Sequence, residues 1–163
     1  MLTGIGIMIL TFVAMEGVAW AMHKYVLHGF MWFLHKSHHT RHQHAFELND
    51  LFFAYYGILA MLFFVFGESP LDYRFWIGAG ITLYGAAYFL IHDVLIHRRL
   101  KIFGKTSNAY LRALNMAHKV HHKVPGKHGS ESFGMLWVAP RYFRLASNSI
   151  RKQKQTNRGS LLY

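Results

Sequence analysis

The chain has 163 residues, of which 53% are hydrophobic, 17% aromatic and only 15% charged, so it falls outside the usual composition of a soluble domain and points to a membrane class. Its formal charge of +11 does not make it a nucleic-acid binder, because long apolar runs separate the basic residues and no recognition motif holds them together. The lack of cysteine excludes disulfide staples, thiolate metal sites and cysteine nucleophiles, so any metal must be held by nitrogen or oxygen.

A bilayer core about 30 Å thick needs roughly 20 helical residues to cross it. Residues 2 to 22 (LTGIGIMILTFVAMEGVAWAM) are apolar except for Glu16, with no Lys or Arg before Lys24 and no convincing cleavage site, and read as a retained first span. Residues 29 to 34 (GFMWFL) are apolar but too short to cross. Residues 51 to 67 (LFFAYYGILAMLFFVFG) form a short second span, and residues 75 to 91 (FWIGAGITLYGAAYFLI) a third that leads into His92. The connection from Glu68 to Arg74 contains Pro70 and predicts an antiparallel hairpin of the second and third spans. Residues 133 to 140 (FGMLWVAP) are again apolar and short. With 29 to 34, they lie at the interface, re-enter the protein or count as a fourth span. The expected fold is therefore all-α: one domain over 1–163, an integral membrane bundle of three clear spans with a histidine-rich helical cap, ending in a flexible basic tail from 147 to 163.

Basic residues set the orientation. The 68–74 loop holds only Arg74; the other Lys and Arg residues follow the first and third spans, which places those segments on one side, the cytoplasmic one. All thirteen histidines fall on that same side, although neither the apolar runs nor the Lys and Arg placement depends on them. Such clustering is not expected of incidental surface or core histidines.

Ten of them form a pattern that occurs twice. HKYVLH supplies His23 and His28, and HKSHH supplies His35, His38 and His39; HDVLIH supplies His92 and His97, and HKVHH supplies His118, His121 and His122. In His-x-x-His-His the three side chains fall within about 100° of one helical face and can converge on a single centre. A His-x4-His pair is separated by roughly 140° on a regular helix, so either the helix ends or bulges there or the two histidines serve different metals. Imidazole is neutral at cytoplasmic pH and suits Fe(II), Zn(II), Cu(II) or Ni(II). Ten ligands exceed the four of a closed structural zinc site; two metals with about five histidines each leave room for water or O2. A polybasic lipid-contacting role for HKSHH and HKVHH is the rival reading. His42, His44 and His128 do not repeat and read as solvated or supporting residues.

Carboxylates are few. Asp93, four residues before His97, is placed to accept that ring's free N–H; Glu47, Asp50 and Glu131 are looser candidates for supporting the site. Glu16 lies within the first span, seven residues before His23 and on nearly the same face, where an ionisable group is either functional or hydrogen-bonded packing. Asn115, one turn before His118, is placed either to bond at the site or to face solvent. FGKTS at 103–107 resembles a phosphate loop only superficially, since Arg99 stands where its first glycine should be.

The spans after the first are uncharged, which disfavours ion conduction and suits a catalyst whose substrate enters from the bilayer while electrons arrive from the cytoplasm. HKYVLHGFMWFLHKSHH, NDLFFAYY and HDVLIHRR, with HKVHH downstream, resemble the bacterial β-carotene 3-hydroxylases of the membrane fatty acid hydroxylase and sterol oxidase superfamily over about residues 15 to 140. The resemblance implies a bacterial inner-membrane, di-iron monooxygenase that uses O2 to hydroxylate C3 of each β-ionone ring, taking β-carotene through β-cryptoxanthin to zeaxanthin. It implies reduced ferredoxin or a similar soluble carrier as the electron donor, and the ten patterned histidines as metal ligands, with zinc as acceptable to them as iron. Trp20, Trp32, Tyr55, Tyr56 and Trp137 are candidates for a ring slot, or else belong to the interfacial belt or to helix packing. The same scaffold admits a carotenoid ketolase, a fatty acid hydroxylase or a desaturase; a non-enzymatic membrane metal or haem carrier is the remaining alternative.

Overall fold

The computed structural model describes residues 1–40, 46–67, 72–102, 104 and 106–159; His42, His44, Glu68 and Pro70 fall outside them. The described residues contain six α-helices and no strand: α1 Leu2–Ala21, α2 Trp32–His39, α3 Asp50–Phe66, α4 Tyr73–Tyr88, α5 Ala109–His121 and α6 Pro140–Gly159. Two of these helices continue as wider, π-helical turns, α1 through Met22–Phe30 and α4 through Phe89–Ile96.

Glycines let three helices approach closely. A Cβ on Gly80 of α4 would lie 2.6 Å from the Thr11 side chain and 2.7 Å from the Met8 carbonyl oxygen of α1, so nothing larger than hydrogen fits that crossing. Gly4 meets Trp76, and Glu16 meets Tyr84, so α1 and α4 run parallel. Gly67 meets Phe75, Gly78 meets Ala60 and Gly85 meets Phe53, so α3 and α4 run antiparallel, as the short connection predicts. Met15, Ala60, Ile81 and Tyr84 form the core of this three-helix unit. Its outer face is apolar: Ile9, Leu10, Val13, Ile58, Met61 and Val65 are all more than half exposed. An apolar face of that extent is not that of a soluble monomer.

Two helices, Leu2–Phe30 and Tyr73–Ile96, are long and apolar enough to cross a membrane; α3, with 17 residues, is apolar but shorter. Because α1 and α4 are parallel and α3 starts where they finish, both π-helical extensions and the start of α3 meet at one end of the unit. There α2 folds back after a kink at Gly29, and α5 packs on the second extension.

Two expectations change. Neither short apolar segment is a span: 29–34 divides between the kink and the start of α2, and the described backbone from 133 to 139 is irregular and folds against α1. The expected tail from 147 is helical as far as Gly159. Tyr142 and Ala146, one turn apart, bury against Ala113 and Ala117 of α5, and the following run of Arg, Lys and Gln favours propagation of the helix.

Candidate metal centre

The π-helical turns resolve the His-x4-His spacing. In a π-helix the N–H of one residue bonds to the carbonyl five positions back, which stacks i over i+5 instead of placing them on different faces. The Met31 N–H donates to the Val26 carbonyl at 3.0 Å, and the His97 N–H to that of His92 at 2.9 Å. His23 and His28 thereby point into one group, and His92 and His97 into another.

Two groups of nitrogen ligands result. The first comprises His23, His28, His35, His39 and His121, and the second His38, His92, His97 and His118; within each, the ligand atoms lie within 4.8 Å of one another. His122 adjoins the second group, its Nε2 2.8 Å from that of His118. Each His-x-x-His-His helix therefore serves both groups, not one. The first and third histidines of the motif are about 40° apart around the helix, whereas the middle one is about 60° and 100° from them and points elsewhere. On α2, His35 and His39 face the first group and His38 the second; on α5, His118 faces the second group, joined by His122 just beyond the helix, and His121 the first.

The outer ring nitrogens fix which way the lone pairs point. His23 Nδ1 donates to the Phe133 carbonyl at 3.0 Å, His28 Nδ1 to that of Lys127 at 3.0 Å, His39 Nδ1 to that of Val124 at 3.1 Å and His121 Nδ1 to that of Glu131 at 2.9 Å. His35 Nδ1 donates to Asn49 Oδ1 at 2.7 Å, and His38 Nδ1 to Glu47 Oε2 at 2.8 Å. With the proton on Nδ1, each Nε2 presents a lone pair inward. The Nε2 atoms then face one another at 3.0 Å (His23 and His35), 3.1 Å (His121 and His39) and 3.2 Å (His28 and His39). Buried lone pairs at that separation repel unless a cation lies among them, and this fits the groups to metal. Burial above all, with neighbouring imidazoles adding to it, pushes His39 down to about 4 and His97 down to about 3, which keeps both neutral and free to coordinate.

The supporting residues are partly those expected. Glu47 and Asp50 adjoin the site, but Asp93 Oδ1 faces His92 Nδ1 at 3.4 Å and Arg99 Nε at 3.2 Å; the expected bond to His97 is not made, because the π-turn brings the adjacent ring nearer. Glu131 contributes its backbone carbonyl, while its carboxylate is held by Arg141 and Tyr142. Asn115 is half-buried and makes no side-chain hydrogen bond to a histidine among the described residues, and His128 is exposed.

Glu16 is a clamp. Its Oε1 accepts the backbone N–H groups of Met135, Leu136 and Trp137 at 2.9, 2.9 and 2.8 Å, and its Oε2 accepts from Tyr84 Oη at 2.8 Å. This ties the 133–137 segment to α1 and so positions the Phe133 carbonyl that holds His23.

Two site residues escaped the sequence reading. Asn49, within the NDLFFAYY run, orients His35. Arg99 spans three carboxylates, reaching Asp50 at 2.9 Å, Asp93 at 3.2 Å and Glu47 at 3.3 Å. Its clustering with these acids depends on the left-handed turn at Arg98 (φ 56°), which no periodicity announces.

An apolar cavity of about 720 Å³ opens between α1, α3 and α4. Met15, Leu27, Phe53, Tyr56, Ile81 and Tyr88 line its walls, and it reaches His23 and His35 of the first group and His92 of the second. Of the aromatic residues expected in a slot, Tyr56 is there; Trp20, Trp32, Tyr55 and Trp137 are not among the lining residues, and Trp32 instead packs on the His28 ring at 5.0 Å.

These features define a helical, apolar protein with a two-position histidine centre at one end of its bundle and a lipophilic cavity beside it. The chain belongs to the fatty acid hydroxylase family, whose model matches residues 8–143. It is 42% identical to the β-carotene hydroxylase of Pseudescherichia vulneris over 81% of this chain and 75% of that one. It is 42% identical to the β-carotene hydroxylase of Pantoea ananas over 82% of this chain and 77% of the relative, and 38% identical to that of Paracoccus sp. (strain PC1) over 82% and 83%. No solved structure matches the chain.

Proposed function

We propose that the chain is an integral membrane β-carotene 3-hydroxylase with a non-haem di-iron centre. The ten patterned histidines are its ligands, His23, His28, His35, His39 and His121 for one iron, and His38, His92, His97, His118 and His122 for the other. The observation that carries this reading is the apolar cavity that ends on histidines of both groups. Bound, the metals supply the redox chemistry that places one oxygen atom of O2 on the substrate and releases the other as water.

What the protein contributes is position. An unactivated ring C–H at C3 lies next to the more reactive allylic C4, so selectivity requires the ring to be held in one orientation. Tyr56, Ile81, Tyr88 and Phe133 supply rigid apolar walls for a β-ionone ring, with the polyene extending along α1 and α3 toward lipid. The excess of Lys and Arg supports an acidic soluble carrier such as ferredoxin as electron donor, and the positive-inside rule favours a cytoplasmic histidine end and C-terminus, in this reading at a bacterial inner membrane.

Expression in cells that accumulate β-carotene, with reductant available, tests the reading. The expected products are β-cryptoxanthin and zeaxanthin. Intact membrane-inserted protein that yields neither would overturn the substrate assignment, and a ketolated or desaturated product would redirect it to another lipid oxidase on this scaffold.

A further inference from the structure

The two metal positions differ in what lies behind their ligands. In the first group every outer hydrogen bond goes to a neutral acceptor, namely four backbone carbonyls and the Asn49 amide. In the second, His38 donates to the Glu47 carboxylate at 2.8 Å, and His92 faces the Asp93 carboxylate at 3.4 Å. A carboxylate behind an imidazole makes it a stronger electron donor than a carbonyl does, and it adds negative charge close to the ion. Three carboxylates gather there against one guanidinium, that of Arg99, so the surroundings keep a net negative surplus. The side chains of Glu47 and Asp93 are only 13% and 9% exposed, so water screens them little.

We propose that the two positions are unequal: the second group holds its metal ion more tightly than the first, and Arg99 is the positioning residue that aims Glu47 and Asp93 at His38 and His92. Without Arg99, Asp50, Glu47 and Asp93 would repel one another and turn outward to water. The guanidinium spans all three in a geometry that a lysine point charge reproduces only in part. The difference in affinity follows the usual effect of an outer partner on a metal-bound imidazole, about 10–100-fold.

The inference rests on the two-metal reading and is tested on metal release. Full-length protein, loaded anaerobically with ferrous iron in detergent, is challenged with a ferrous chelator while the coloured complex is followed. Release in two equal phases, with rates about 10–100-fold apart, is expected. In Glu47→Gln the slow phase should accelerate toward the fast one while the fast phase stays unchanged. Arg99→Leu should do the same, and Arg99→Lys should restore part of the difference. A single phase releasing both ions from the unmodified protein would overturn the inference, as would a Glu47→Gln effect on the fast phase alone. Asp93→Asn provides the second variant if Glu47→Gln does not fold. Fewer than two bound irons per chain would instead overturn the two-metal reading, and the inference with it.

Discussion

The two halves of the histidine repeat reach the same arrangement by different routes. In the first half, Met22–Phe30 passes through the Gly29 kink almost directly into α2, so that His28 and His35 are seven residues apart. In the second half, Phe89–Ile96 is separated from α5 by a turn and a loop capped by Asn108, whose side chain accepts the N–H groups of Tyr110 and Leu111 at 2.9 and 3.1 Å. The repeat is thus one of chemistry rather than of chain path. Each half sends a π-turn pair and the outer histidines of its second motif to its own group, and lends the middle histidine to the other.

That exchange makes the largest prediction. His38→Ala and His121→Ala should each abolish turnover, by at least about 100-fold, while the protein still inserts. Each should also lower the iron content of the group built mainly by the opposite half. His121→Ala should therefore remove the faster-released ion, although His121 lies on the helix of the second half. Loss of the slower ion instead would break the exchanged arrangement.

Why this exchange was not legible follows from helix geometry. The composition, the apolar runs and the doubled histidine pattern carry the class, the all-helical fold and the residues of the centre, because hydropathy and a repeated ligand set are local properties of the chain. The five-residue spacing of His23 and His28 marks the place where the helix departs from α geometry. What could not be read was which histidine faces which group: three imidazoles within about 100° look convergent until a second group stands beside the first. Asp93 shows the same limit. Four residues before His97 it is well placed on an α-helix, but the π-turn gives it to His92. The supporting carbonyls of Phe133, Val124, Lys127 and Glu131 carry no side-chain signature at all, because any residue supplies one.

Acid should treat the two halves alike. Burial lowers His39 to about 4 in the first group and His97 to about 3 in the second, against an ordinary value of 6.5. The unfolded chain therefore takes up protons below about 6.5 while the folded chain does not. The resulting stability is fully present above that pH and is lost as pH falls toward 4 and then 3. Metal-free protein, followed by circular dichroism, should lose helix in one transition through this window. Two separate transitions would show that the halves fold independently.

A smaller effect should fall on one group only. Gly129 has a φ of +92°, a conformation that a side chain rarely adopts, and it lies between Lys127 and Glu131, whose carbonyls hold His28 and His121. Gly129→Ala should cost about 1–2 kcal/mol and speed release of the first ion about tenfold. The second ion should be unaffected.

The smallest expected change runs the other way. Asn49 Oδ1 accepts from His35 Nδ1 at 2.7 Å in the position that Glu47 occupies for His38 in the second group. Asn49→Asp keeps the shape and replaces a neutral acceptor with a carboxylate, so His35 should become a stronger donor and release of the first ion should slow by a few-fold. Asn49 is only 7% exposed, so the new charge is weakly screened. It also stands next to Asp50 and near Glu47, both already engaged by Arg99, and their repulsion offsets part of the gain. The gain should therefore be clearest in ferric protein, where the higher charge of the ion favours the carboxylate most. A faster release in both oxidation states would mean that the neutrality of the first group, rather than the charge of the second, holds its histidines in place.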